Sequence, residues 1–191
     1  VFRVRIHGRG GQGAVTAAEL LSVAAFVEGR YAQAFPSFGS ERTGAPVTAF
    51  CRIDDRPIRV REPVTRPDAL VIQDATLLHQ VNVFEGLRPG GPVLDNSPRG
   101  AHDLGLDRLT GPVVTAPATT LALRHAGRPV PGAVLPGGLA ALTGCVTIDS
   151  LAAAVQDRFP GPVGEATADA AREEYDHVRI AREERLPAEA D

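Results

Sequence analysis

The stretch that most constrains this chain is residues 3–28, RVRIHGRGGQGAVTAAELLSVAAFVE. Val4 and Ile6 alternate as in a strand, and Gly8, Gly10, Gly11 and Gly13 follow. Ala14 to Val27 then carry apolar residues at helical spacing, with no Gly or Pro among them. The glycines serve a turn whose backbone angles a β-carbon forbids, and they let a bound group approach the main chain. The helix start presents free N–H groups and a partial positive charge, which suits a phosphate or pyrophosphate. Gly8, Gly10 and Gly13 meet the spacing G-x-G-x-x-G in its required setting between strand and helix. The same glycines also fit a turn that only packs a helix on a sheet.

Gly29 stops the first helix, and Tyr31 to Phe35 is the candidate second strand. A nicotinamide-binding fold ends that strand in Asp or Glu, which holds the ribose. Here it runs into Pro36 and Ser37, which argues against ordinary NAD use. The loop from Phe35 to Gly44, FPSFGSERTG, holds two aromatics beside an acid–base pair. So apolar a loop needs cover from its own domain, a partner or a ligand. Arg42 can pair with a phosphate bidentately, and Glu41 can equally neutralise it.

Pro46 to Ile53 reads as a strand, Asp54-Asp55 as a turn, and Ile58 to Arg61 as a return strand, so the sheet is expected to be mixed. Pro67–Asp74, Gly90–Asn96 and Val113–Ala116 read as further strands. Asp74 or Thr76 caps a helix expected to reach about Phe84, with His79 on it. Helices are expected over Thr119–Ala126, Val134–Leu142, Ile148–Phe159 with Thr147 as cap, and Glu165–Arg185. The alternation predicts an α/β, Rossmann-like three-layer fold with a mostly parallel, mixed sheet. The 191 residues fit one domain over 1–185, with a frayed tail over 186–191.

The net charge of -3 gives no basic excess for nucleic acid, and no apolar run is long enough to cross a membrane. All 20 basic residues are Arg, so an anion contact must use Arg, a backbone N–H or a neutral donor. Cys51 and Cys145 form no C-x-x-C pair, so this chain's thiols alone build neither an iron–sulfur cluster nor a zinc site. Such usage fits a reducing cytoplasm, and Cys51 reads as a small core hydrophobe. Neither G-x-S-x-G nor H-E-x-x-H occurs. Of the five scattered histidines, His7 ends the first strand beside the glycine turn, at the sheet edge where ligands bind, though a structural role suits it better. Asp95 and Asn96 end another strand and are candidates for the same crevice.

HGRGGQGAVTAAELL, AQAFPSFGSERTGAPVTAFCRI and the later LAALTGCVTIDSLAAAVQDRF resemble the gamma subunit of the 2-oxoacid:ferredoxin oxidoreductases, pyruvate:ferredoxin oxidoreductase among them. The resemblance covers nearly the whole chain. It implies a complex that oxidatively decarboxylates a 2-oxoacid to an acyl-CoA and reduces ferredoxin. Thiamine diphosphate with Mg²⁺ and [4Fe-4S] clusters are then held by other subunits, of alpha, beta and delta type. The gamma part is associated in some members with the nucleotide end of CoA. Gly8, Arg9, Gly10, Gly11, Gln12 and Gly13 match the family's glycine loop, and Phe35 to Gly44 its second signature, with Glu41 and Arg42 on its acid–base pair.

On that basis Arg9 and Arg42 join the glycine loop as cofactor-binding candidates. Phe35, Pro36, Phe38, Gly39 and Glu41 are interface candidates, and no catalytic residue is expected. Thr43 stands where the family commonly has a second basic residue, and Val134-Leu135-Pro136-Gly137 departs from a segment that carries Asn. Pro136-Gly137 is expected to shorten a helix there. A non-catalytic, CoA-docking subunit is the favoured reading. A purely structural subunit and a free-standing dinucleotide-dependent dehydrogenase are the alternatives.

Overall fold

The structure, a computed structural model, describes residues 1–37 and 42–185. The segment 186–191, expected to be a frayed tail, lies outside the described residues. Six strands form one sheet: β1 (Phe2–Arg9), β2 (Tyr31–Pro36), β3 (Pro46–Asp54), β4 (Ala69–Ile72), β5 (Val93–Asn96) and β6 (Val113–Ala116). Their order is β2-β3-β1-β4-β5-β6. β1, β4, β5 and β6 pair in parallel, while β3 runs antiparallel to both β1 and β2. The mixed, mostly parallel α/β sheet is thus as expected, but the antiparallel strand differs.

Residues 58–61 form no strand, contrary to expectation. β3 already has β1 on one side and β2 on the other, so neither edge is left for a return strand. The helix expected to reach Phe84 is a single 3₁₀ turn over Ala75–His79. Its cap is as read: the Asp74 carboxylate accepts from the Thr76 N–H.

Five helices, α1 (Ala14–Val27), α2 (Ala118–Ala126), α3 (Leu135–Thr143), α4 (Ile148–Arg158) and α5 (Pro162–Arg185), pack on one face of the sheet. Val4, Ile6, Cys51, Ile53, Val71 and Leu94 point into that layer. Small residues let the helices close on each other. A β-carbon on Gly137 would lie 2.1 Å from the Ala171 carbonyl oxygen of α5, so α3 and α5 touch backbone to backbone there. Pro136 occupies the first turn of α3, where its missing N–H costs nothing.

The alternate residues of each strand face the other way. There Leu70, Ile72 and Val93 meet Leu77, Val83, Ala101 and Leu106. This third layer holds the 3₁₀ turn and irregular chain rather than α-helices.

Candidate functional site

β1 delivers the glycine turn to the C-terminal edge of the sheet, where α1 begins. Gly13 is the residue before α1 and has positive φ, 82°. Among the described residues no side chain caps the helix, and its first turn carries no acid. The first N–H groups of an α-helix have no partner within it, so this end is electropositive. A cavity of about 350 Å³ opens onto it, lined by Gly10, Gly11, Gly13, Val15 and Thr16 from the turn and helix and by Val130 and Phe159 opposite.

Packing accounts for most of the glycines. A β-carbon on Gly10 would stand 2.3 Å from the Arg42 carbonyl oxygen. The Gly10 N–H donates to Ala45 O, and Gly44 N–H donates to Gly10 O. Gly13 abuts Gly132, whose own β-carbon would meet Gly13 O at 2.1 Å. Gly8 sits over the Gln73 amide, which is buried and unpaired among the described residues. Among the described residues Gly11 alone of the four has open space around it, with φ 92°.

Arg9 and Gln12 turn inward. Arg9 Nε donates to Asp74 Oδ2 at 3.1 Å and Nη1 to Gly44 O at 3.1 Å. Its Nη2 donates to Thr76 Oγ1 and Gln80 Oε1. Gln12 accepts from the Arg9 N–H and donates to the same Asp74 oxygen, at 2.8 and 2.9 Å. Burial works to raise the Asp74 carboxyl, but the bonds from Thr76 and Gln12 and the Arg9 charge outweigh it and hold it below the usual range. Arg9 and Asp74 therefore cancel, and the field at the cavity is that of the helix end. Asp74, Thr76 and Gln80 were not foreseen as parts of the turn. Nor were Val130 and Phe159 as cavity walls.

The remaining candidates stand outside the glycine turn itself. Arg42 is exposed on the segment lying against Gly10. Phe35 and Pro36 end β2, half-buried, with the Phe35 ring 5.2 Å from that of Phe50 and under the Arg52 guanidinium. Phe38, Gly39 and Glu41 lie outside the described residues. Because β3 separates β2 from β1, an acid at the end of β2 would stand two strands from the glycine turn, and the nicotinamide geometry is lost.

His7 is buried, and its Nε2 accepts from Arg5 Nε at 3.0 Å. Burial first, and then the Arg5 charge, push its pKa down to about 4, so it is a neutral structural group. Asp95 is fully buried with neither oxygen hydrogen-bonded among the described residues. Burial, with Asp74 adding repulsion, raises its carboxyl to about 7. His7, Ile72 and Asp95 share one row on the helix-free face, so the two polar groups do not line the crevice. Asn96 instead braces β5, donating to Gln73 O and Thr119 Oγ1.

Among the described residues no three His, Cys, Asp or Glu side chains come together to hold a metal. Both cysteines are free and buried, and burial pushes both thiols up.

Comparison with known proteins agrees along the chain. Residues 3–176 match the family described as pyruvate ferredoxin/flavodoxin oxidoreductase. The chain is 45% identical over 182 residues to the pyruvate/ketoisovalerate oxidoreductases common subunit gamma of Pyrococcus abyssi, covering 94% of this chain and 98% of that one. The crystal structure of pyruvate oxidoreductase subunit PORC from Thermotoga maritima superposes with a TM-score of 0.82 at 35% identity, covering 92% and 96%. The 2-oxoglutarate:ferredoxin oxidoreductase of Magnetococcus marinus, solved with coenzyme A bound, shares the fold at a TM-score of 0.74 and 17% identity, over 94% of this chain and 31% of that one. The chain belongs to the pyruvate ferredoxin/flavodoxin oxidoreductase family, as a gamma-type subunit.

Proposed function

We propose that this chain is the non-catalytic gamma subunit of a cytoplasmic 2-oxoacid:ferredoxin oxidoreductase, and that it binds the phosphate end of CoA while helping to assemble the complex. The whole enzyme decarboxylates a 2-oxoacid oxidatively, forms an acyl-CoA and reduces ferredoxin. CoA supplies the thiol that receives the acyl group. Thiamine diphosphate, Mg²⁺ and [4Fe-4S] clusters belong to alpha-, beta- and delta-type partner subunits. That a relative is named as common to pyruvate and ketoisovalerate enzymes supports placing the choice of 2-oxoacid on those partners.

The observation that carries the CoA reading is the bare start of α1, opening on a cavity with no acid in the first helical turn. Backbone N–H groups are the ligands this supplies; Arg9, with four of its five donors engaged and its charge paired with Asp74, contributes mainly position. Arg42 remains a candidate for an outer phosphate. Assembly is supported by Val23, Phe26 and Val27 along the outer side of α1, with Phe26 77% exposed.

Thr16→Glu tests the site. The third residue of a helix accepts an acid well, so stability should hold or rise. The same charge should repel CoA and raise its KM in the assembled enzyme about tenfold. An unchanged KM would leave the second reading, a structural subunit, which the packing of Gly10 and Gly13 favours.

A further inference from the structure

A cleft about twice the size of the one at the glycine turn lies elsewhere in the chain. It lies at the opposite end of β1, encloses about 750 Å³, and is lined by Arg3, Arg52, Arg59, Arg66 and Arg88 with Ile58 and Val60 between them. In a chain of net charge -3 this is a local reversal of sign.

The five guanidinium groups are not equivalent. Asp68 takes Arg3 and Arg88. Arg52 is buried and donates to Gln33 Oε1 at 3.1 Å and to the Glu62 carbonyl. These three are fastened to the chain's own frame. Arg59 and Arg66 are exposed and make no ion pair or hydrogen bond among the described residues.

Arg59 stands on the wall Ile58–Arg61, whose alternating sequence reads as a strand and which has no strand to join among the described residues. Its main chain makes no backbone hydrogen bond among the described residues. Val60 is 52% exposed. A strand-type segment with open N–H and C=O groups is a template for a strand from another chain. The charges around it select an acidic one. A small polyphosphate fits less well. Three of the arginines are already held, Asp54 and Glu62 stand in the cleft, and apolar side chains interrupt the cations.

We propose that this cleft receives an extended acidic segment of another polypeptide of the oxidoreductase complex, which pairs along residues 58–61 and places its carboxylates on Arg59 and Arg66. The proposal rests on this chain working inside an assembly, but not on its binding CoA.

Hydrogen exchange followed by mass spectrometry, on the full chain alone and in the purified complex, tests it. The amides of 58–61 should exchange about 100-fold more slowly in the complex. In the complex carrying Arg59→Glu and Arg66→Glu that protection should be lost. Equal exchange in the lone and assembled chain would overturn the proposal and leave the subunit reading standing. Protection that survives the double charge reversal would overturn the acidic partner. Protection of the lone chain that grows with its own concentration would assign the cleft to a second copy, and protection by added pyrophosphate to a small anion. Either would overturn the proposal. A chain that enters no complex would overturn both readings.

Discussion

The two faces of the sheet are closed by different physics. On one, five helices press against Val4, Ile6, Val71 and Leu94, and the contacts are apolar and close. On the other, irregular chain is held by a smaller apolar cluster and by a buried cation. Arg5 donates to the carbonyls of Val64, Val83 and Glu85 and to His7, tying the segment from 64 to 85 to β1. Helices bring their own backbone hydrogen bonds and need only shape. Irregular chain must find partners for its carbonyls, and one guanidinium with five donors can serve several. The helical face is therefore the one on which size matters, and the other face the one on which charge and hydrogen bonding matter.

The sharpest way to break this contrast is on the helical side. Gly137→Val drives a side chain into the Ala171 carbonyl, and α3 must leave α5. A loss of about 3 kcal/mol or more is expected, seen as a lower midpoint in urea or as insoluble chain. A variant that unfolds like the parent would mean the helix layer is loosely packed.

Arg5→Met comes next. It removes the donors to three carbonyls and to His7, and a loss of about 2–3 kcal/mol follows. The expected signature is local: amides near Val64 and over residues 80–87 exchange faster while β4, α1 and α5 keep their protection. Uniform loosening would show that the two layers are not separate devices.

Proton linkage reaches both faces: Glu174 of α5, fully buried among the helices, is raised to about 8 by burial, while the helix-free face carries two groups shifted in opposite senses. Asp95 on the helix-free face has a folded pKa of about 7, above the ordinary 3.8. Its neutral form is the one the fold accepts. The associated stability is complete below pH 4 and is lost as pH rises through 7. His7 on that face runs the other way, with a folded pKa of about 4 against 6.5. Its share is complete above pH 6.5 and is lost as pH falls toward 4. Asp95→Asn should therefore stabilise the chain at pH 8, with the gain gone near pH 4. A melting series in pH checks it, and a gain independent of pH would contradict the assignment.

These faces were not equally legible in the sequence. The bounds of α1 could be read because Gly13 and Gly29 flank a run without Gly or Pro, and Thr147 marks α4 by its cap. Local chemistry decides such features. The position of β3 between β2 and β1 could not be read, because strand order depends on pairing between distant segments. The same blindness made a strand of Ile58–Arg61, whose pattern is right and whose partner is missing. The helix expected to reach Phe84 ends at His79, and Val83 reaches the sheet from irregular chain beyond the 3₁₀ turn that carries Leu77. At the site, the glycine spacing was visible, but not that Arg9 would spend its donors on Asp74, Thr76 and Gln80.

Asp74 joins the two faces. It leads from β4 into the 3₁₀ turn of the helix-free layer, and its carboxylate reaches back to Arg9 and Gln12 in the glycine turn. Asp74→Asn keeps an oxygen for the Thr76 N–H, since Asn caps as well as Asp. It removes one negative charge near the start of α1 and leaves the Arg9 charge unopposed. The expected effect is the smallest of the set, about a twofold to fivefold fall in KM for CoA, matching a helix-end interaction of 0.3–1 kcal/mol. A KM that rises would mean that Arg9 must be held by a full charge for the turn to keep its shape. The joint between the faces would then matter more to binding than the field at the helix end.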